Sequence, residues 1–372
     1  MKVSFIIITA RKDFPYVGRP DLHLFEPTLE SFKRQSMKDF EFIIVDVLYD
    51  KRKDYFEGMD LPFKVKHVPA LPNIWIENGF PGVCRQYNKG IIHADGELLF
   101  FAGDGNMVAP DFMEKLWSRY QEGYFPLAWY QYDLTNQKNT DFGGGKNDVS
   151  PVSYDICGYS GEKVFIEYRY YQLFEDNNLD VAPAPWLWWF GCSSASLDAM
   201  LKINGFDQRF DGDKMLMDCD VGSRLDLVGH HSRFAMFRDI YLARCTMKPG
   251  YGFSGTTDSI GNNVTIKCSF ALLWFSRFFN KFRANCYKLE NSDIEWIKRV
   301  FCGGVCPRRE FCAENHPWQY PFEHKEGYVS HGSLKKWWKF WREHQGLVDL
   351  TEERKLRKDG SKYQEGTFVG KS

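Results

Sequence analysis

Three acidic residues fall where apolar runs stop, and chemistry suggests itself at those stops. Asp46 closes Phe40-Glu-Phe-Ile-Ile-Val-Asp46. Asp104 stands in Gly103-Asp-Gly-Asn106, directly after Leu98-Leu-Phe-Phe-Ala102. Asp218 opens Asp218-Cys-Asp-Val-Gly-Ser-Arg-Leu225. Carboxylates converging from strand ends suit a nucleotide diphosphate held with a divalent metal, with one acid left over as general base. An acid between two glycines offers a hard oxygen ligand and lets backbone approach a bulky anion closely. Each position has a plainer reading. Asp-Gly and Gly-Asn are ordinary turn pairs, Asp46 can cap a loop, and Asp218 can complement a helix N-terminus.

A second cluster lies far downstream. Cys302-x3-Cys306-x5-Cys312-x3-His316 gathers three thiols and an imidazole, the ligand set of a structural Zn2+ site. Its latter part resembles the end of a CCCH zinc finger, although the first spacing is shorter. Buried free thiols are the alternative. The ten cysteines otherwise lie mostly singly, which suits reduced thiols better than a disulfide framework.

The elements that must position these residues alternate between strand and helix. Val3–Thr9 is a β-branched apolar run, a helix follows Pro27, and the Asp46 run is a second buried strand. That is a βαβ unit, which requires a parallel pair. A third strand covers Phe63–Val68. Pro81-Gly82 opens a helix in which Val83, Tyr87, Ile91 and Ala94 share a face. The Leu98 strand follows, then a helix from Pro110-Asp111 to Gly123. The stretch from Ala128 to Val181 reads as less regular, with Thr140–Asp148 a Gly-rich loop. Ser196 caps a helix that closes at Asn204-Gly205, and Val221, Leu225 and Val228 take helical spacing after Asp218. Short strands at Arg233–Phe237 and Ile240–Ala243 complete this part, and Lys248–Thr257 is a second Gly-rich loop. The fold class is α/β, with a mostly parallel, Rossmann-like central sheet flanked by helices.

Length and charge bound the rest. The 372 residues suffice for one large α/β domain with an appendage. Charge nearly cancels over the chain, with 48 Lys and Arg against 49 Asp and Glu. Residues 274–372 hold 19 Lys and Arg against 13 Asp and Glu, a net of +6, which leaves −7 for residues 1–273. We therefore expect a catalytic domain at 1–273 and a basic, aromatic, helical module at 274–372. Within the latter, Ser333–Arg342 puts Leu334, Trp338 and Trp341 on one helical side and Lys335, Lys339 and Arg342 on another. It suits docking on the first domain, contact with a membrane surface, or nucleic acid. No apolar run has the length of a membrane span or a signal peptide, so the expectation is a cytoplasmic protein.

The order of the pieces resembles family 2 of the nucleotide-sugar glycosyltransferases, which have the GT-A fold. The resemblance rests on Ser4–Thr9, Thr28–Gln35, Phe40–Asp46, Asn88-Lys-Gly-Ile-Ile-His-Ala-Asp-Gly-Glu97 and Pro110–Phe112. Asn204-Gly-Phe-Asp207 and Asp218–Leu225 continue it, so that it covers roughly residues 3–245. It implies an inverting hexosyltransferase using a nucleotide-diphosphate sugar such as a UDP-sugar. Thr9, Asp46, Asn88 and Asp104 would bind the donor, and Asp218 would be the catalytic base. Asp220 would brace the helix or contact the acceptor. Trp188 and Trp189 could offer flat faces for stacking on a sugar or base, with core packing the role of at least one of them. Arg224 could neutralise an acid or a phosphate. The chain departs from the family at Gly103 and Gly105, where a metal-binding Asp-x-Asp is expected, and at Met217. Asp104 and Asn106 would then hold a weakened Mn2+ or Mg2+ site, with Arg11 or Arg85 as cationic substitutes. The acceptor is a glycan or nucleic acid. A hydroxymethylated DNA base predicts salt-sensitive duplex binding, and a lipid-linked or cell-surface glycan predicts membrane partitioning. A non-catalytic sugar-nucleotide binder is the reading of another class.

Overall fold

The computed structural model describes residues 1–9, 25–57, 59–71, 82–133, 164–166, 170, 173–174, 177–189, 192–211, 216–244, 272–303 and 347–359. Strand β1 (Val3–Thr9) lies at the centre of the first sheet. Its Phe5 and Ile7 enter one apolar cluster while Ile6 enters another, the two-face burial expected of a central parallel strand. β2 (Phe40–Asp46) and β4 (Leu98–Gly103) flank it in parallel, and β3 (Lys64–Pro69) extends the sheet beyond β2. The order is β3-β2-β1-β4-β9, with β9 (Ser194–Ser196) antiparallel to β4. The expected mixed, mostly parallel α/β sheet is thus present.

Helices cover both faces. On one side α1 (Glu26–Lys33) buries Leu29 and Phe32 against Phe5, Phe42 and Phe100. On that side Phe32 stands edge-on to Phe5, 4.7 Å between ring centroids. α2 (Tyr49–Glu57), which the sequence reading missed, follows Asp46 directly. On the other side α3 (Val83–His93) buries nearly its whole length. α4 (Phe112–Gln121) returns to the first side with Phe112, Met113 and Leu116 inward.

Beyond β4 the chain crosses to a second sheet. β5 (Asn106–Val108) pairs antiparallel with the long β10 (Phe234–Arg244), which also runs parallel to β6 (Phe125–Asp133). β7 (Val164–Ile166) pairs with β6, and β8 (Val181–Pro183) with β10. Two expectations change here. The stretch from Ala128, expected to be irregular, opens inside the nine-residue strand β6, which runs to Asp133. The two short strands after Arg233 are one, with a register shift between Met236 and Tyr241 where the sequence reading placed a break.

α5 (Leu197–Ile203) begins at Ser196, whose hydroxyl accepts from Ala199 N, and ends at Asn204 with φ 62°. α6 (Met217–Leu227) carries the downstream acids. Residues 272–278 are helical (α7), followed by α8 (Asn291–Gly303) and α9 (Leu350–Asp359). Leu272, Leu273, Phe275, Ile294, Ile297, Val348 and Leu350 share one apolar cluster with Ile6 and Tyr87. The charge change at residue 274 is therefore not a packing boundary. Among the described residues, no helix is long and apolar enough to cross a membrane.

Candidate functional site

In the parallel part of the first sheet, connections run outward from β1 to β2 and β3, then cross back to β4 on the other side of β1. The reversal falls between β1 and β4. In open α/β sheets, ligands bind outside the carboxyl ends of strands at such a point. Thr9 ends β1 and Asp104 follows β4, and Thr9 Oγ1 donates to Asp104 Oδ2 at 2.8 Å. Asp104 and Gly105 form the turn that carries the chain from the first sheet into β5 of the second. Gly105 has φ 72°, a left-handed conformation that disfavours a side chain, whereas a Cβ added at Gly103 would meet nothing within 4 Å.

Asn106 is buried beside this turn. Its Nδ2 donates to Gly103 O at 2.8 Å, and its Oδ1 is buried with no hydrogen-bond partner. A buried acceptor left without a donor is costly unless something else meets it.

Asp46 lies in register with Thr9 across β1 and β2 and is fully buried. Its Oδ1 accepts from Leu48 N at 2.7 Å and Arg52 Nη1 at 3.0 Å, and His67 Nε2 lies 3.0 Å from Oδ2. The carboxylate thus pins the start of α2 and the end of β3. The sequence offered no signal for Arg52 or His67, because neither stands at a local spacing from Asp46 that implies contact.

Asp218 lies in the first turn of α6, half-buried, with Oδ1 accepting from Cys219 N at 2.9 Å. Tyr87, on α3, relates it to Asp104. The phenol's pKa is raised by burial first, then by the negative charges of Asp218, Cys192 and Asp104. Tyr87 OH donates weakly to Ala102 O at 3.3 Å, and its ring stacks on Phe206 at 4.8 Å. The two acids therefore act on a single buried ring at the sheet reversal.

Four residues expected at the donor or the acceptor are buried in the fold. Asn88 is buried, donating to Phe206 O at 2.7 Å and accepting from Phe206 N at 2.8 Å. Its amide holds the Asn204–Phe206 turn. Trp188 and Trp189 are buried, not open platforms for an acceptor. Trp189 packs on Phe101 and Phe206, and its Nε1 donates to Ser194 O at 3.1 Å. The surrounding turn supports α6: a Cβ at Gly222 would meet Trp186 O at 2.1 Å. Asp220 is likewise buried and accepts from Arg224 Nε at 2.6 Å, one turn along the same helix.

Beneath α6 lies a charge cluster. Arg224 Nη2 donates to Asp207 Oδ2 at 2.8 Å, and Arg209 pairs with the same carboxylate through Nε and Nη2. Burial raises the Asp220 pKa to about 6, with Asp207 adding to the rise and Arg224 opposing it. For Asp207 burial acts upward too, but Arg209 and Arg224 outweigh it and hold the carboxyl below its usual value. Nearby, Arg85 Nε donates to Asp211 Oδ2 at 2.9 Å, and burial pushes Asp211 up to about 6 against that pull. Arg11, Cys306, Cys312, His316, the side chain of Cys302, both Gly-rich loops and Ser333–Arg342 lie outside the described residues. Among the described residues, no group of three or more His, Cys, Asp or Glu is gathered for a metal.

No protein-family model matches the sequence, and no curated protein is significantly similar to it. Among solved structures, the chain is similar to S. aureus TarS 1–349 in complex with UDP-GlcNAc. The identity is 12%, with 98% of this chain and 93% of that chain covered and a TM-score of 0.48. The same protein in complex with UDP gives 12% identity, 100% and 95% coverage, and a TM-score of 0.43. Against a longer TarS structure the identity is 12% and the TM-score 0.41, over 83% of this chain and 50% of that one. This chain thus spans half of that longer chain. At TM-scores below 0.5, these likenesses carry no weight for donor or reaction.

Proposed function

We propose that the protein is a glycosyltransferase that moves a sugar from a nucleotide-diphosphate sugar to an acceptor hydroxyl. The observation that carries this reading is the Thr9–Asp104 hydrogen bond across the sheet reversal, where open α/β sheets place ligands. The sequence pieces resembling family 2 glycosyltransferases support it, because Thr9, Asp46, Asp104 and Asp218 stand in that order along them. In this reading Thr9 and the Gly103–Asn106 turn cradle the donor. Asp218, half-open at the start of α6, takes the proton from the acceptor hydroxyl as it attacks the anomeric carbon in line. Attack from the face opposite the leaving diphosphate inverts the configuration there.

The residues fit a divalent cation. Asn106 Oδ1 is a buried oxygen without a donor, and Asp104 supplies a carboxylate beside it, both hard ligands suited to Mg2+ or Mn2+. When bound, such an ion would supply charge neutralisation to the leaving diphosphate.

The test is a panel of nucleotide sugars incubated with the purified protein, with and without EDTA, while released nucleoside diphosphate is measured. We expect release from one donor class, weakened by EDTA and abolished in Asp218→Asn. No release from any donor would overturn the reading. Full turnover in Asp218→Asn would overturn the base assignment alone.

A further inference from the structure

Asp218 and Asp220 are two residues apart on α6, so their side chains point about 200° apart around the helix axis. Whatever holds Asp220 inward therefore sets the direction in which Asp218 faces outward. Asp220 is held by Arg224, one turn further along the same helix, at 2.6 Å. Arg224 is itself fully buried and is fixed from three sides. Its Nη2 reaches Asp207 Oδ2 at 2.8 Å, behind the Asn204–Phe206 turn, and Ser276 Oγ at 2.9 Å on α7. Its Nη1 donates to the carbonyl of Lys281. Asp207 is gripped in turn by Arg209, whose guanidinium also donates to Tyr287 OH at 2.7 Å and lies over that ring at 4.3 Å.

Two carboxylates and two guanidiniums thus form a neutral buried cluster between α6 and residues 276–287. Buried ion clusters of this kind add little net stability over apolar packing, yet they fix one geometry, because a displaced member leaves a charge without a partner. The entrance to α6 is constrained as well. Leu216 takes φ 70°, rare for a residue with a branched side chain, and its carbonyl accepts from Asp220 N at 2.8 Å.

We propose that Arg224 is the positioning residue for Asp218, and that Ser276, Lys281 and Tyr287 make the segment after residue 271 an integral part of the catalytic site. This inference rests on the reading of Asp218 as the base. Arg224 touches neither donor nor acceptor. It acts by holding the inward face of α6, so that the carboxylate one helical face away meets the acceptor in a fixed orientation. A small misplacement of a catalytic group from a distant change can cost about a hundredfold in rate. Lysine cannot replace Arg224, because a single ammonium cannot reach Asp220, Asp207, Ser276 and the Lys281 carbonyl together.

The test uses the full chain with Arg224→Lys, Ser276→Ala and Tyr287→Phe, each checked for folding by circular dichroism. The last two remove a single hydroxyl and keep the cluster testable if Arg224→Lys fails to fold. Two readouts are taken. The first is donor turnover with UDP-glucose and UDP-N-acetylglucosamine as probes, split into kcat and donor KM. The second is amide hydrogen exchange of residues 216–221. We expect kcat to fall about tenfold or more in Arg224→Lys and by a few-fold in Tyr287→Phe, with donor KM within twofold of wild type. Exchange in residues 216–221 should rise in the same order. Folded variants with unchanged kcat and unchanged exchange would overturn the proposal, as would a loss confined to donor KM. If the wild type releases no nucleoside diphosphate, the function reading fails by itself. The exchange data then decide whether Arg224 holds the first turn of α6, unchanged exchange overturning that part too.

Discussion

Thr9 Oγ1 and Asp104 Oδ2 are joined by a 2.8 Å hydrogen bond that ties the ends of two adjacent parallel strands. The bond orients the carboxylate. We predict that Thr9→Val, which keeps the shape and removes the donor, slows nucleoside diphosphate release about tenfold. Asp104→Asn should slow it by about a hundredfold or more, since it removes the anionic ligand that would hold a divalent cation against the leaving diphosphate. An Asp104→Asn protein turning over at the wild-type rate would remove Asp104 from the mechanism.

The two glycines flanking Asp104 differ in what they permit. A side chain at Gly103 enters open space, whereas Gly105 stands at φ 72°. Gly103→Asp should therefore fold as the wild type does and lower the Mn2+ concentration needed for half-maximal turnover by about tenfold, through an added carboxylate ligand. Gly105→Asp should lose about 1 kcal/mol of stability from the left-handed backbone. Metal titration of activity and denaturant unfolding check the pair. Equal destabilisation by the two substitutions would refute the asymmetry.

Stability should fall with rising pH across the interval set by Asp211 and Asp220. Burial raises both from 3.8 to about 6, so the folded protein binds these protons more tightly than the unfolded chain does. Their contribution is full below about pH 3.8 and is lost as pH rises through about 6. Asp207, held low by its two arginines, acts in the opposite sense at lower pH. Asp211→Asn should flatten the slope of unfolding free energy between pH 4.5 and 6.5. A slope identical to wild type would contradict the assignment.

Gly205 combines φ 71° with contact on both sides, since a Cβ there would meet Asn88 Oδ1 at 2.3 Å and Leu350 Cδ1 at 2.4 Å. Gly205→Ala should cost about 2–4 kcal/mol in denaturant unfolding, through strain and displacement of the Asn88 amide. A loss below about 0.5 kcal/mol would show that the turn can give way without cost.

The strand ends were legible because apolar runs stop sharply at Thr9, Asp46 and Gly103, and a buried parallel strand leaves a local signature. The ends of α5 were legible for a similar reason, since Ser196 and Asn204-Gly205 satisfy helix termini by local bonding. α2 was missed because it buries only Arg52 and Phe56, and its polar sequence carries little periodicity. The roles of Trp188 and Trp189 stay divided between stacking and core packing in the sequence, because aromatic type alone does not tell a sugar-stacking ring from a core ring. Arg224 lies one helical turn from Asp220 and is legible as a cation for an acid, but the partners of Asp46 and the long-range members of the Asp207 cluster are not. Arg209–Tyr287 and Arg224–Ser276 join residues 78 and 52 positions apart, and no local pattern announces such pairs.

α3, which carries Tyr87, ends against Arg354, which lies 263 positions beyond Ile91 in the chain. Arg354 Nη1 donates to the carbonyls of Ile91, Ile92 and Ala94 at 2.6, 3.2 and 2.5 Å, and Leu350 N donates to Asn204 Oδ1 at 2.9 Å. During synthesis, the sheet and α3 emerge long before these partners exist. The nascent chain must therefore wait with the end of α3 unclosed, its helix carbonyls wet and the Asn204 pocket open. Final closure waits for Leu350 and Arg354, and a chain cut before them would carry every candidate site residue while lacking the piece that seals them in.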